Sequence, residues 1–290
     1  MPWYGLALLA ALFTASQATL LRRWFSDLST AHMAAIPLVC GLPVFAVSLA
    51  ATPVPDLQDG FWMVFWITQP VNAVGFALHM RAIRVSPLSL TMPYLALTPA
   101  LVMLTGRAVL GEMPNAWGAL GVLCIACGSY ILHIEPGRGG GALAPLKAFA
   151  REPGSRCMLG AATIYALASV LGKKCVLLSS PQFFAMLFHT VFAAAGVLAL
   201  ALCCGLPLAA LRRHPVAGLC SGLCFGAEAL AHNMAIALAK AAYMIAIKRF
   251  SVVLSVLFGH LFLHERNLRS RLTGAALMFA GAAIIGLAGN

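Results

Sequence analysis

Ten times along the chain, roughly twenty consecutive positions pass with hardly a charged side chain, and the segments between them are short. A chain built this way has few choices. Water is absent from a bilayer core, so each backbone amide there must be paired within its own segment, which selects helices of about 20 residues. The segments centre on 3–21, 31–51, 60–80, 86–106, 115–134, 157–177, 183–204, 215–237, 241–262 and 270–288. Only 27 of the 290 residues are charged (19 basic plus 8 acidic), whereas a soluble domain carries about 25%. The expectation is an all-α, multi-pass integral membrane protein, with no room for a soluble domain in its loops.

The net charge of +11 raises the question of nucleic acid, but the basic residues are scattered and form no stripe that could track a phosphate backbone. No nucleic-acid partner is expected; the bilayer itself is the first partner. The opening segment lacks a basic stretch before its apolar run, and Arg22 and Arg23 come after it, so it is read as a spanning helix and not as a signal peptide. Nine cysteines lie mainly in apolar helices. Cys124 and Cys127 have C-x-x-C spacing, but a structural zinc site needs four ligands and no second pair stands in a comparable loop. Neither metal, disulfide nor cofactor is expected.

The longest connection, 135–156, holds Pro136, three consecutive glycines from Gly139, Pro145 and Pro153 among charged residues. It divides the chain into a first half, 1–134, and a second, 157–290. Sliding one half on the other by 153 positions pairs His79 with His232, Gly106 with Gly259, Glu112 with Glu265, Gly121 with Gly274 and Gly128 with Gly281. That is an internal repeat. Five helices is an odd number, so the second copy enters the membrane from the opposite side: the expected fold is ten transmembrane helices as two inverted five-helix repeats.

Charge inside a spanning helix costs about 2.5–3.5 kcal/mol even on the lenient insertion scale, so such residues face a cavity or a partner. Lys248 and Arg249 fall in the middle of the ninth segment, where the repeat places Leu95 and Ala96 in the fourth. The scaffold does not require these charges. On a helical period Met244, Lys248, Ser251 and Ser255 share a stripe while Arg249 lies about 100° away, which favours Lys248 as the residue facing a polar lumen. Tyr165, Ser169 and Lys173 form a similar stripe in the sixth segment, and Ser221, Cys224, Glu228 and His232 in the eighth. Glu228 is the acidic residue deepest in any span; with His232 it is the candidate counter-ion or proton carrier. Gln17, Asn72 and Tyr94 recur with other polar residues, among them Thr14, His79 and Thr98, at three- or four-residue steps and add candidate contacts. His189 stands alone and reads as a packing residue. Pro99 is expected to kink the fourth segment; its counterpart Val252 implies that the two halves bend unequally.

The stretches PALVMLTGRAVLGEMPNAWGALGVLCIACGSYIL and SVVLSVLFGHLFLHERNLRSRLTGAALMFAGAAIIGL each run from an apolar helix through a Gly-Glu or His-Glu turn into a glycine-punctuated helix. They resemble the paired signature of the EamA family in the drug/metabolite transporter superfamily, over essentially the whole chain. The resemblance implies carriage of a small metabolite without ATP, and the chain has no G-x-x-x-x-G-K-[ST] phosphate loop. The basic pairs of helices six and nine are similar to those that hold phosphate in the plastid sugar-phosphate translocators of that superfamily, which implies an anionic or zwitterionic substrate.

The resulting expectation is a secondary active or facilitative transporter in the cell membrane, the inner membrane of a bacterium, exporting an amino acid or organic acid by alternating access, as a monomer or homodimer. The substrate-binding candidates are Lys248, Arg249, Lys173, Tyr165, Ser169, Ser251, Tyr94, Asn72 and Gln17, with Glu228 and His232 for charge balance or proton coupling. A flippase for a lipid-linked head group is the alternative, and a membrane-embedded enzyme using Glu228 with a histidine a more distant one. Glu112 and Glu265 read as solvated carboxylates in short turns, with a gate or helix-end contact as the other reading. Basic residues cluster after odd-numbered segments, which by the positive-inside rule puts those connections in the cytoplasm and both termini outside; the family resemblance implies the reverse.

Overall fold

The computed structural model describes residues 2–86, 88–133, 152–263 and 272–289, and every regular element among them is helical. In chain order these are α1 (Trp3–Trp24), α2 (Thr30–Ala51), α3 (Phe61–Val85), α4 (Leu88–Leu95), α5 (Thr98–Leu110) and α6 (Ala116–His133). The second half supplies α7 (Pro153–Leu177), α8 (Pro181–Cys203), α9 (Leu208–Arg213), α10 (Pro215–Leu238), α11 (Ala241–Lys248), α12 (Phe250–Leu263) and α13 (Leu272–Ala288). Seven stretches are long and apolar enough to cross a membrane, two of them running through the α4–α5 and α11–α12 breaks, and two shorter apolar helices end the two halves at 116–132 and 272–288. The outward faces carry large apolar side chains, such as Leu202 at 78% exposure and Leu287 at 90%. Such a surface is stable only against lipid.

The two halves pack as images of one another. α3 lies along α7, and its exchanged pair, α10 along α1, does the same; α1 against α11 and α12 mirrors α7 against α4 and α5; α2 meets its own counterpart α8, and α6 its own counterpart α13. The α6–α13 seam shows the direction of the second copy. A Cβ added to Gly121 would lie 2.7 Å from the Gly281 carbonyl oxygen, and one on Gly128 would lie 2.5 Å from that of Gly274. Position 121 thus faces 281 while 128 faces 274, so the two helices run antiparallel. Only glycine permits backbones this close, and the crossing is the association mode that small residues give spanning helices.

One pairing departs from this symmetry. α2 packs closely along α10, where a Cβ on Gly222 would sit 2.6 Å from the Cys40 backbone, whereas α8 only touches α3. The counterparts of Gly218 and Gly222 in α3 are Phe65 and Gln69. Phenylalanine pairs, Phe61 with Phe183 at 6.2 Å and Phe65 with Phe184 at 6.5 Å between ring centroids, span the wider gap between α3 and α8.

The fourth and ninth segments are both broken, at Ala96–Leu97 and at Arg249, which the 153-residue shift superposes. At the first break Pro99 has no N–H to offer the Leu95 carbonyl, and the Thr98 hydroxyl donates to it instead at 2.7 Å. Ala96 and Leu97 then bond back three residues, to Pro93 and Tyr94. The second break has no proline: Val252 stands where the first half has Pro99. There Arg249 N–H donates to the Ala246 carbonyl and Val252 N–H to that of Arg249, the same tightened turn reached without proline. The second break occupies a single residue and the first occupies two.

Candidate functional site

Where the two breaks meet the middle of the bundle, a cavity of about 380 Å³ opens between the halves. The first half lines it with Thr14, Thr68, Asn72, His79, Leu95 and Thr98; the second contributes Tyr165, Ser169, Phe184, Phe188, His189, Glu228, His232, Asn233, Ile245, Lys248, Arg249 and Ser251, with a few small residues. Discontinuous helices commonly build transporter sites at this depth, because a chain interruption is tolerated in a membrane only where it borders a cavity.

Lys248 ends α11, and its ammonium forms an ion pair with Glu228 of α10. It also lies 3.0 Å from His232 Nδ1. A lysine ammonium can only donate, so that nitrogen is the acceptor and the His232 proton sits on Nε2. Glu228 and His232 are one helical turn apart, 3.9 Å between their closest polar atoms. The three groups form one balanced cluster. The Arg249 guanidinium has no hydrogen bond or ion pair with any described residue. With the histidines neutral, two cations (Lys248, Arg249) against one carboxylate (Glu228) leave the cavity at +1, and the surplus resides on Arg249. Because Arg249 is the joint between two helices, it does not follow the stripe that Lys248 defines, and both side chains reach the cavity.

The uncharged lining is mostly satisfied by its own helices. Thr14, Thr68 and Ser169 hydroxyls donate to carbonyls one turn back at 2.9, 2.7 and 2.8 Å, and Asn72 and Asn233 amides do the same at 2.9 and 2.8 Å. The hydroxyls offer the cavity their acceptor oxygens, and each asparagine offers its amide oxygen and a second N–H. Tyr165 Oη and His79 Nδ1 meet at 3.4 Å across the two halves. His189 Nδ1 donates to the Ala185 carbonyl at 2.7 Å, and its ring is packed against Phe45, Phe188 and Phe225.

Eight of the eleven residues singled out from sequence therefore line the cavity: Asn72, Tyr165, Ser169, Glu228, His232, Lys248, Arg249 and Ser251. Three do not. Gln17 reaches from α1 to the Ser221 carbonyl of α10 at 3.4 Å, joining two helices behind the cavity. Tyr94 is 3% exposed and packs with Met158 and Ala161 of α7. Lys173, 4% exposed, completes the stripe of Tyr165 and Ser169 one turn too far along: it pairs with Glu112 and donates to the Ala239 carbonyl. Glu112 is thus not a solvated turn residue. Its second oxygen accepts the Ala241 N–H at 2.9 Å, at the first residue of α11. Its repeat partner Glu265 lies outside the described residues. The sequence reading passed over Thr68, Phe184, Phe188 and Asn233 and assigned His189 to packing. The four-residue step from Phe184 to Phe188 with His189 beside it is the pattern that points to this wall of α8.

An inverted pair of helical repeats around a midplane cavity defines a membrane carrier architecture. The family model of the EamA-like transporter family matches residues 1–134 and again residues 153–287, and the chain belongs to this family. Among solved structures, one crystal structure is similar with a TM-score of 0.79, over 99% of this chain and 97% of its own, at 16% identity. Likeness at that identity concerns the fold. No curated protein matches the sequence.

Proposed function

We propose that the chain is a secondary active or facilitative transporter that exports a small anionic or zwitterionic metabolite, such as an amino acid or organic acid, by alternating access around the midplane cavity. The observation that carries this reading is the Arg249 guanidinium, without a partner among the described residues, in a cavity whose other cation is already neutralised by Glu228. A buried charge without a partner is costly, and a carboxylate held by the planar guanidinium fork removes that cost when the solute binds. The volume, about 380 Å³, falls at the small end of the roughly 300–1,000 Å³ typical of small-molecule sites. Acceptor oxygens of Asn72, Ser169 and Asn233 suit the ammonium of an amino acid, and Phe184 and Phe188 supply an apolar wall.

The test is counterflow into proteoliposomes with a panel of labelled amino acids, organic acids and neutral sugars. Transport is expected for at least one carboxylate-bearing solute, lost by about tenfold or more in Arg249→Gln and partly kept in Arg249→Lys, as for removal of a charge-assisted contact. Equal uptake by wild type and Arg249→Gln would overturn the assignment of Arg249.

A further inference from the structure

The buried contact that captures Lys173 joins three parts of the chain that the symmetry of the fold does not otherwise tie. Gly111 closes α5 in the left-handed conformation (φ +68°), with its own N–H on the Arg107 carbonyl and that of Glu112 on Gly106. This cap turns the Glu112 carboxylate away from its own half and onto the second. One oxygen meets the Lys173 ammonium near the end of α7, the other takes the Ala241 N–H that begins α11, and Lys173 also holds the Ala239 carbonyl just before it.

The position of this contact relative to the cavity is the informative part. Gly172, the neighbour of Lys173, lines the cavity, and so does Ile245, one turn into α11. The contact lies between the cavity and the membrane face that carries the connections around 111–115, 178–180 and 239–240. α11 is a single rod of eight residues, about 12 Å long at 1.5 Å per residue, with the Glu112 contact at its first residue and Lys248 at its last. A solute drawing on Lys248 and Arg249 at one end pulls on the contact at the other.

We propose that the Glu112–Lys173 ion pair is the gate closing the cavity toward this membrane face, and that α11 connects it to the cations of the site. An ion pair with a buried lysine and a half-buried carboxylate suits a gate because its breaking is a discrete event, and hydration of the separated charges offsets much of the cost once water enters. The repeat does not duplicate the device: the position equivalent to Lys173 in α1 is Leu20, so the opposite face closes on other contacts. The inference goes beyond the transport reading, and its test needs no substrate.

Cys175, fully buried two residues beyond Lys173 and 3.9 Å from the hydroxyl of the cavity residue Thr68, is a built-in reporter of opening. In full-length protein carrying Cys175 alone, the other eight cysteines replaced by alanine, a membrane-impermeant methanethiosulfonate is added to vesicles of each orientation and the labelling rate followed. Lys173→Met is expected to raise that rate by about tenfold or more, and from one side only, whereas Lys173→Arg stays within about twofold of the parent. A second single-cysteine protein retaining Cys124, packed in the α6–α13 seam, reports on the bundle as a whole. A Cys175 rate unchanged in Lys173→Met would overturn the gate; so would a rise shared by Cys124 or seen equally from both sides, since the substitution would then loosen the entire bundle.

Discussion

Replacing Glu228 with glutamine removes the one carboxylate among the described residues of the cavity while keeping the side chain's size and an oxygen that can still accept from Lys248. The cavity then holds two cations and no anion, +2 in place of +1. Removing one partner of a buried pair typically costs 3–5 kcal/mol, because the other charge is left without compensation in a medium that solvates it poorly. Taking the low end, about 3 kcal/mol, and about 2–4 °C per kcal/mol for a chain of this class, Glu228→Gln should lower the melting temperature by about 6–12 °C. Lys248→Met should destabilise similarly, since it strands the carboxylate. The double variant should recover most of the loss, because two neutral side chains leave no stranded charge. The assay is thermal unfolding of the four proteins in one detergent, followed by tryptophan fluorescence. Single losses that simply add in the double variant, to within about 0.5 kcal/mol, would refute the pairing and with it the charge count that leaves Arg249 as the free cation.

Three further outcomes follow from the fold. Gly128→Leu places side-chain atoms where the Gly274 carbonyl lies 2.5 Å from an added Cβ, and should abolish the α6–α13 seam, seen as loss of monodisperse protein in size-exclusion chromatography; normal behaviour would contradict the crossing. Pro99→Ala should leave transport within about twofold of wild type, because the second half breaks at the equivalent residue without proline and Thr98 still serves Leu95; a larger loss would show that the proline itself maintains the break. With Lys173 buried in the Glu112 contact, the connections on its side of the bundle keep few basic residues, so the positive-inside rule predicts an outside C-terminus: alkaline phosphatase fused after Asn290 should be active and a fluorescent protein dark, and the converse would side with the family resemblance.

Much of the site was legible because the cost of charge in lipid is independent of tertiary detail. Lys248, Arg249 and Glu228 stood out in spans that otherwise contain none, and all three face the cavity. The candidates that lie off the cavity have physical reasons of their own. Lys173 extended a helical stripe that begins with Tyr165 and Ser169, but periodicity records which face a residue occupies and not where along the helix the cavity ends. Arg249 ranks behind Lys248 on the same periodic argument, which assumes an unbroken helix, yet both line the cavity. Gln17 and Tyr94 spend their polar atoms on neighbouring helices, on the Ser221 carbonyl and the Ser155 side chain.

The amino-acid order alone determined that the chain lives in a bilayer and that it is a duplicated helical unit. Apolar run length and a constant register shift are properties of one dimension. Which cation is spent on a neighbour and which has none among the described residues was decided only in three dimensions. Glu112 and Lys173 are 61 positions apart, and Glu228 and Lys248 belong to different helices, so their pairing depends on where two half-bundles cross and where a helix stops.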